Sequence, residues 1–334
     1  ASHVWFNGPR KCVRVQTAAG REIVVTPNHP LRTFTGWVEA GDLRPGDRIA
    51  LPRYLPYTPN TTLPDALIRL FVYLIGDGTI YKNGARFTSA CSASLDDFEL
   101  AANTMGAGTS RRQEPGSRAV TVRTKGFSRG ETGGRGVPKP SNPLVEHLIR
   151  HGLAGKRSWE KQIPDAIFGL PLEQLRIFMG CLYSTDGYIA VRPHQIYVEY
   201  SSSSERLVRQ VAHLLLRFGI FGRVRRREVR GHRDSWRVIV GDWVSLAKFA
   251  SEFKITGKEG ALLEISNRAT SKVTSSSHDL LPMEVKVVVK NALEDVGLGW
   301  IHGPQKYEPT RGRVRRIGEL LDNQQLLDIA NSDV

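Results

Sequence analysis

Two aspartates, each followed by glycine, end two matching apolar segments of this sequence. The first segment reads LFVYLIGDGTI and contains Asp77; the second reads FMGCLYSTDGYI and contains Asp186, 109 residues later. Both have the apolar pattern of a helix, and a helix C-terminus carries partial negative charge, so a carboxylate there is electrostatically unfavourable. One Asp-Gly alone would indicate a helix stop with glycine in the left-handed cap position. Two copies at matched positions indicate a shared chemical role instead.

The chemistry that two such carboxylates could perform depends on whether the two helices pack side by side. The small residues Gly76, Gly180, Cys181 and Ser184 would allow the close approach of their last turns. Two carboxylates and two helix C-termini then require a cation, and oxygen ligands of this kind favour Mg²⁺, which keeps waters and takes phosphate oxygens. This combination is suited to phosphodiester hydrolysis by in-line attack of a metal-activated water.

The charge balance indicates a polyanionic partner. The 334 residues include 47 Lys and Arg against 33 Asp and Glu, a formal net charge of +14, which favours nucleic acid over a membrane surface. Cys12, Cys91 and Cys181 form no CxxC or Cys/His cluster, so neither a disulfide framework nor a zinc site is indicated, and a cytoplasmic location is expected. We expect Cys181 to be a core thiol, and no apolar run approaches the length of a membrane span.

The elements that position the two aspartates occur twice. Strand patterns around the turn Ala19-Gly20 predict a hairpin, and residues 55–64 predict a linker. The order helix, strands, helix, strands, helix then begins at Pro64, includes a basic glycine-rich loop at 125–142, and starts again after Pro171. An internal duplication of an αββαββα unit is the best interpretation. The predicted domains are an all-β segment at 1–56, the two repeats at 57–168 and 169–268, and a helical segment at 269–334 with RGRVRR as a basic connector.

The motifs LIGDG and LYSTDG resemble those of a monomeric LAGLIDADG homing endonuclease. The segment GREIVVTPNHPL…GWVEAGDLRPGDRIALPR resembles the part of an intein splicing domain (the Hint fold) that carries a Thr-x-x-His motif, here Thr26 to His29. Together they are similar to inteins of replicative DNA helicases. The resemblance implies an α+β fold with a pseudo-twofold duplicated αββαββα core, a partial all-β Hint segment at the N-terminus and a helical segment at the C-terminus.

The chain departs from the family pattern at identifiable positions. Ile75 and Ser184 stand where the family usually has an earlier aspartate in each motif. The sequence begins Ala-Ser-His and ends Asn-Ser-Asp-Val, without the first Cys or Ser and the final His-Asn that an intein needs, so we do not expect splicing. Thr26 and His29 are interpreted as a splicing remnant, with a plain turn role for His29 as the open alternative.

The resemblance also implies the residues of an active site. The family's catalytic lysine lies in a Lys-x-Ile-Pro element, here Lys161, and ITGKEG offers Lys258 in the second half; a solvated surface lysine is the alternative for each. The implied cofactor is Mg²⁺, as two or three divalent cations at the helix interface. The residues expected around the metal are Asp77, Asp186, Gly76 and Thr185.

The expected partner is double-stranded DNA with a long asymmetric target site, bound by a monomer across the strands of both repeats. We expect a sequence-specific endonuclease that cuts both strands; a DNA-binding relic without cleavage and a splicing element inactivated by missing termini are the alternatives. The run 225–227 is expected to act as a phosphate stripe. The arginines placed on candidate strands are Arg86, Arg118, Arg123, Arg192, Arg225, Arg227 and Arg237.

Overall fold

The structure, a computed structural model, describes residue 6 and residues 8–81, 84–113, 115–125, 143–272, 281–298 and 309–332. All but the first residue of the predicted basic loop at 125–142 lies outside these ranges. The chain divides into two compact units. The larger consists of residues 55–241 and 245–271, and the smaller of residues 1–54, 242–244 and 272–334.

The larger unit contains the predicted duplication, apart from residues 243 and 244, which group with the smaller unit. Its first copy runs α1 (Asp65–Ile75), β5 (Gly78–Tyr81), β6 (Gly84–Ser89), α2 (Ser92–Thr104), β7 (Gly108–Gln113), β8 (Val120–Lys125) and α3 (Pro143–Arg150). Its second copy runs α4 (Leu172–Thr185), β9 (Gly187–Val191), β10 (Ile196–Ser202), α5 (Glu205–Leu216), β11 (Arg223–Arg227), β12 (Ser235–Val240) and α6 (Trp243–Glu252). The antiparallel sheets have equivalent strand orders, β5-β6-β8-β7 and β9-β10-β12-β11, which confirms the α+β fold and the duplicated unit.

Helices α1 and α4 pack against each other at the centre of this unit. Helix α1 is also covered by α2 and by strands of its own sheet. Its residues from Leu70 to Ile75 are therefore all buried, which explains an apolar run without helical alternation. Pro64 precedes the helix, where its fixed φ and missing N–H cost nothing.

The glycine after each aspartate does not act as a left-handed helix cap. Neither Gly78 nor Gly187 has a positive φ, so the left-handed cap is wrong, although both helices end just before the Asp-Gly pairs. Each glycine instead begins a strand that starts directly against the last turn of its helix. A Cβ at Gly187 would lie 2.5 Å from the Tyr183 carbonyl oxygen, and one at Gly78 would collide with the Leu74 backbone.

The predicted linker at 55–64 is an extended segment that packs on the second repeat. It has no regular secondary structure, but the Tyr57 hydroxyl donates to the Leu170 carbonyl at 2.8 Å. The backbone N–H of Leu63 donates to Gln174 Oε1 at 3.2 Å. Long-range hydrogen bonds of this kind cannot be inferred from the local Pro content that suggested a linker.

Several elements of the larger unit differ from expectation. The predicted αββαββα order implies strands β7 and β9 without locating them, and helix α7 (Glu259–Lys272) was not predicted. The first strand of each copy is short, with four residues in β5 and five in β9.

The smaller unit combines short sheets with a helical part. Strands β1 (Val13–Gln16) and β2 (Glu22–Val25) form the predicted hairpin, and β3 (Pro30–Arg32) pairs with β4 (Trp37–Glu39). The helices are α8 (Val285–Glu294), α9 (Arg311–Leu320) and α10 (Gln324–Asn331). In the described part of the chain, no helix combines the length and apolarity of a membrane span.

The predicted basic connector RGRVRR lies inside helix α9, which corrects the sequence interpretation. Its first residue, Arg311, is buried, and its guanidinium donates to the Ile329 carbonyl at 3.1 Å and the Ser332 carbonyl at 2.9 Å. The start of α9 thus meets the end of α10, so these helices form an antiparallel hairpin. Arg311 satisfies terminal carbonyls of α10.

Candidate active site

The paired helices α1 and α4 bring the two aspartates to one place. Asp77 follows α1 and is exposed, whereas Asp186 caps the C-terminus of α4 and is partly buried. The helix ends approach so closely that a Cβ at Gly76 would lie 2.9 Å from Thr185 Oγ1 and 3.1 Å from Asp186 Oδ2. The expectation that Gly76 permits the approach of the second helix therefore agrees with the geometry.

The other small residues of the motifs do not all face the partner helix. Cys181 does: Arg69 of α1 donates to its Sγ at 3.7 Å, and burial raises the pKa of this core thiol to about 11. Gly180 and Ser184 face residues 254–256 instead. A Cβ at Gly180 would lie 2.6 Å from the Lys254 carbonyl oxygen, so the predicted role of these two residues in helix pairing is wrong.

Asp186 is the electrostatically strained carboxylate of the pair. Burial, together with the negative charge of Asp77, raises the pKa of Asp186 to about 7. The positive charges of Lys161 and Lys258 act in the opposite direction. The protein therefore concentrates negative charge here without fully compensating it, which is the electrostatic condition for binding a cation.

Lys161 reaches the C-terminus of α1. Its Nζ donates to the carbonyl oxygens of Ile75 at 2.8 Å, Gly76 at 2.8 Å and Gly78 at 3.3 Å. Three acceptors match the three N–H donors of an ammonium group. Burial lowers the pKa of Lys161, although the charges of Asp186 and Asp77 oppose this shift.

Lys258 occupies the equivalent place at the end of α4. Its Nζ donates to the carbonyl oxygens of Tyr183 at 2.6 Å, Ser184 at 3.2 Å and Gly187 at 2.6 Å. Ser184 and Gly187 correspond by the 109-residue offset to Ile75 and Gly78, so the two lysines share two of three acceptor positions. Burial lowers the pKa of Lys258 as well, against the charge of Asp186.

The two lysines explain how a carboxylate can follow the negative end of each helix. Each ammonium group lies at the negative end of the helix that leads to an aspartate, which offsets the partial charge of the last carbonyls. Neither Lys161 nor Lys258 is a solvated surface residue. Their arrangement repeats in both halves, and a catalytic role for either lysine stays a prediction.

The residues around the aspartates fit a divalent cation that keeps much of its own hydration. Among the described residues, no group of three or more His, Cys, Asp or Glu side chains is placed to hold a metal. The Gly76 carbonyl already accepts from Lys161, and Thr185 Oγ1 donates to the Leu182 carbonyl at 2.9 Å. The chain thus offers chiefly two carboxylates, and Mg²⁺ suits such a site because it retains waters and takes phosphate oxygens.

The sheet of the first repeat has a basic outer face, defined as the face not covered by α2. Arg86 and Arg123 are cross-strand partners and are both exposed, while the neighbouring Phe87 and Val122 are buried. Side chains alternate between faces along a strand, so the two arginines lie together on the outer face. Arg112 follows the same alternation.

The outer face of the second sheet, opposite α5, is basic but also carries a carboxylate. Arg225 and Arg237 are cross-strand partners, and Arg227 shares their face by alternation. Arg226 points the other way and donates to Asp234 at 2.7 Å, so the predicted stripe of three consecutive arginines is wrong for this residue. Arg237 contacts Glu199 at 3.4 Å.

Two of the predicted DNA-contacting arginines are not on strands. Arg118 lies in the turn between β7 and β8, and Arg192 lies in the turn between β9 and β10. Both were assigned to strands because their neighbours have strand-like sequences. Alternation of faces therefore does not apply to them.

The N-terminal Thr-x-x-His motif forms a tight turn. The backbone N–H of His29 donates to the Thr26 carbonyl at 3.0 Å, and the His29 carbonyl accepts from Ala40 at 2.9 Å. The His29 residue is exposed. The backbone role in a turn is thus present, and the remnant role remains a prediction.

Comparison with known proteins relates part of the chain to a family and most of it to longer proteins. Residues 173–254, most of the second repeat, match a family model described as a LAGLIDADG-like domain. The replicative DNA helicase DnaB of Rhodothermus marinus is 29% identical over 356 residues, covering 100% of this chain and 37% of the helicase. The RecA protein of Mycobacterium tuberculosis is 28% identical over 318 residues, covering 88% of this chain and 38% of RecA. The chain thus spans about two fifths or less of these relatives.

Two solved structures illustrate the structural similarity of this chain to known proteins. Full-length DUF199/WhiA from Thermatoga maritima has a TM-score of 0.41 at 12% identity, covering 81% of this chain and 91% of that one. I-DmoI in complex with DNA and Mn has a TM-score of 0.39 at 12% identity, covering 57% of this chain and 96% of that one.

Proposed function

We propose that this chain is an intein-encoded, site-specific endonuclease that makes a double-strand break in DNA by Mg²⁺-dependent phosphodiester hydrolysis. The observation that carries the proposal is the doubled site: two aspartates at the ends of paired helices, each helix end bound by its own lysine. A structural role alone would not require an incompletely compensated carboxylate such as Asp186 at this place. As a monomer with two unlike halves, the protein would recognise a long asymmetric target.

The side chains at the helix ends have separable tasks in this proposal. Asp77 and Asp186 would hold Mg²⁺, which supplies activation of a water and stabilisation of developing phosphate charge. Lys161 and Lys258 offset the negative helix ends and place positive charge beside the carboxylates. This favours the approach of an anionic phosphodiester to a site that would otherwise repel it.

The outer faces of the two sheets support DNA as the substrate. Each outer face carries at least three arginines. In the pairs Arg86–Arg123 and Arg225–Arg237 the two arginines lie side by side on neighbouring strands, so each pair forms a row of positive charge perpendicular to the strands. Arginine donates bidentately to phosphate and to guanine. A twisted antiparallel face of this kind can follow a DNA groove.

The intein origin is supported by the variety of proteins that contain a matching segment. Besides the helicase and RecA, matches occur in the small replication factor C protein of Thermococcus kodakarensis and in a DNA gyrase protein of Mycobacterium leprae. These proteins differ in function, and the matching part is 28% of the former and 17% of the latter. A segment shared by unlike proteins is the expected signature of a mobile insertion. The turn from Thr26 to His29 would belong to its splicing domain.

Cleavage of insertion-site DNA tests this proposal. The substrate is a linear duplex spanning the position in a replicative helicase gene at which relatives carry the matching segment, with that segment removed. We expect two discrete products with Mg²⁺, no cleavage in EDTA, and no double-strand break by Asp186→Asn, which should still bind the duplex.

Three outcomes separate the alternatives. Binding of the duplex without cleavage by the unmodified protein would favour a DNA-binding relic. Absence of both binding and cleavage on this and on neighbouring gene segments would overturn the proposal. Cleavage that persists at full rate in EDTA would refute the role assigned to the metal.

A further inference from the structure

The segment that carries Lys161 is anchored on helix α5. The Ser204 hydroxyl donates to the Lys161 carbonyl oxygen at 2.7 Å and accepts from the N–H of Leu207 at 3.2 Å. Gln210, also on α5, accepts from the Ile163 N–H at 2.8 Å and donates to the Ile163 carbonyl at 3.4 Å. Ser204 is only 1% exposed, so water cannot readily replace its hydrogen bonds.

The segment that carries Lys258 is anchored differently, on helix α4. The Ser184 hydroxyl accepts from the N–H of Thr256 at 2.9 Å and donates to the Gly180 carbonyl at 2.7 Å. Gly180 lets the Lys254 carbonyl approach the same helix. Residues 254–256 therefore lie directly on the last two turns of α4, immediately before the lysine.

This difference follows from two substitutions between the repeats. The residue that corresponds to Ser184 in α1 is Ile75, which is 2% exposed and has no side-chain hydrogen-bonding group. The residue that corresponds to Ser204, at the N-terminus of α2, is Cys91, whose thiol is a weaker hydrogen-bonding group than a hydroxyl. Each half thus has one serine anchor, and the two anchors are on different elements.

We propose that Ser204 and Ser184 are positioning residues, Ser204 for Lys161 and Ser184 for Lys258, with Gln210 as a second anchor for the Lys161 segment. Each serine fixes the backbone next to its lysine so that the ammonium group reaches the carbonyls at the end of the adjacent helix. The consequence for catalysis rests on the function proposed above. If each lysine serves one cut, each serine controls mainly one strand.

Pulse acetylation of the full chain, read out by mass spectrometry, tests the positioning without any substrate. Ser204→Ala should raise the labelling rate of Lys161 about fivefold, the factor expected from losing one hydrogen bond, and leave that of Lys258 unchanged. Ser184→Ala should raise the labelling rate of Lys258 by a similar factor and leave that of Lys161 unchanged. Thr310→Ala is the matched control, because Thr310 also caps a helix through its hydroxyl, at 3.3 Å from the Arg313 N–H, but in the smaller unit.

Gln210→Met provides a second variant of the Lys161 anchor should Ser204→Ala fail to fold. It removes both hydrogen bonds to Ile163 and leaves the serine in place. It should also raise the labelling of Lys161 alone. Equal changes at both lysines, or no change at either, would overturn the inference.

Strand-resolved cleavage of end-labelled DNA then tests the catalytic consequence. Ser204→Ala should slow the same strand as Lys161→Met, and Ser184→Ala the same strand as Lys258→Met, each by about fivefold or more. Equal slowing of both strands in each serine variant would refute the strand assignment. A wild type that binds but does not cut would refute the proposed function, while the labelling result would still decide the positioning.

Discussion

Replacing Asp186 by asparagine should make the metal-free protein more stable at neutral and alkaline pH. The folded protein raises the pKa of this carboxyl from its ordinary 3.8 to about 7, so the folded state holds its proton at pH values where the unfolded chain has lost it. Unfolding is then favoured as pH rises between these two values, and the effect is constant above the upper one. One pKa unit corresponds to about 1.36 kcal/mol, so the ionised Asp186 carboxyl lowers the free energy of unfolding by about 4 kcal/mol at pH values above both pKa values.

The pH dependence distinguishes this effect from ordinary repacking. Only part of the penalty is present at pH 5, about 2 kcal/mol, because the folded carboxyl is still protonated there. The asparagine variant should therefore gain about 2 kcal/mol over wild type at pH 5 and about 4 kcal/mol at pH 8. Mg²⁺ should reduce the difference in stability between the variant and wild type, since a cation that binds the folded wild type stabilises it selectively.

Urea unfolding in EDTA at the two pH values measures both quantities. Glu173→Gln is the control, because Glu173 lies exposed in the first turn of the same helix. Loss of the Glu173 charge should destabilise the folded protein by about 0.5 kcal/mol, because a negative charge in the first turn interacts favourably with the helix dipole. An asparagine variant that is less stable than wild type at pH 8, or equally affected at both pH values, would show that Asp186 is not a strained carboxylate.

Three further predictions concern packing and DNA binding. Tyr200→Phe should stabilise the protein by about 1 kcal/mol in urea unfolding, because the buried Tyr200 hydroxyl has no hydrogen-bond partner among the described residues; a loss of stability would indicate a bound water. Gly180→Ala should destabilise by about 2 kcal/mol, because its Cβ would lie 2.6 Å from the Lys254 carbonyl, and an unchanged midpoint would contradict that contact. The double variant Arg86→Ala/Arg123→Ala should reduce the slope of log affinity against log salt by about 2 in fluorescence anisotropy; an unchanged slope would exclude the first sheet as a phosphate-binding face.

The fold was predictable where local pattern and repetition coincide. The two apolar segments that end in Asp-Gly predicted the central helices, and their offset of 109 residues predicted the duplication. The hydrogen bonds that order residues 55–64 were not predictable, because they come from distant partners such as Leu170 and Gln174. The connector RGRVRR was misjudged because the buried Arg311 is stabilised by carbonyls of another helix, which no local pattern reveals.

The candidate site was predictable in its residue types but not in its geometry. The two aspartates followed from sequence, and the two lysines from the family resemblance. Their contacts with helix carbonyls did not follow, because Lys161 is 86 positions from Ile75 in the sequence. The anchoring role of Ser204 and Ser184 had no sequence signal, since a serine before a helix or within one usually serves only local hydrogen bonds.

Strand-resolved cleavage of insertion-site DNA with Mg²⁺ by wild type, Asp77→Asn and Asp186→Asn decides whether the two aspartates form a catalytic metal site. We expect wild type to cut both strands and neither variant to make a double-strand break, although both variants should retain DNA binding. Full double-strand cleavage by either variant would contradict the claim that the two aspartates form the catalytic metal site.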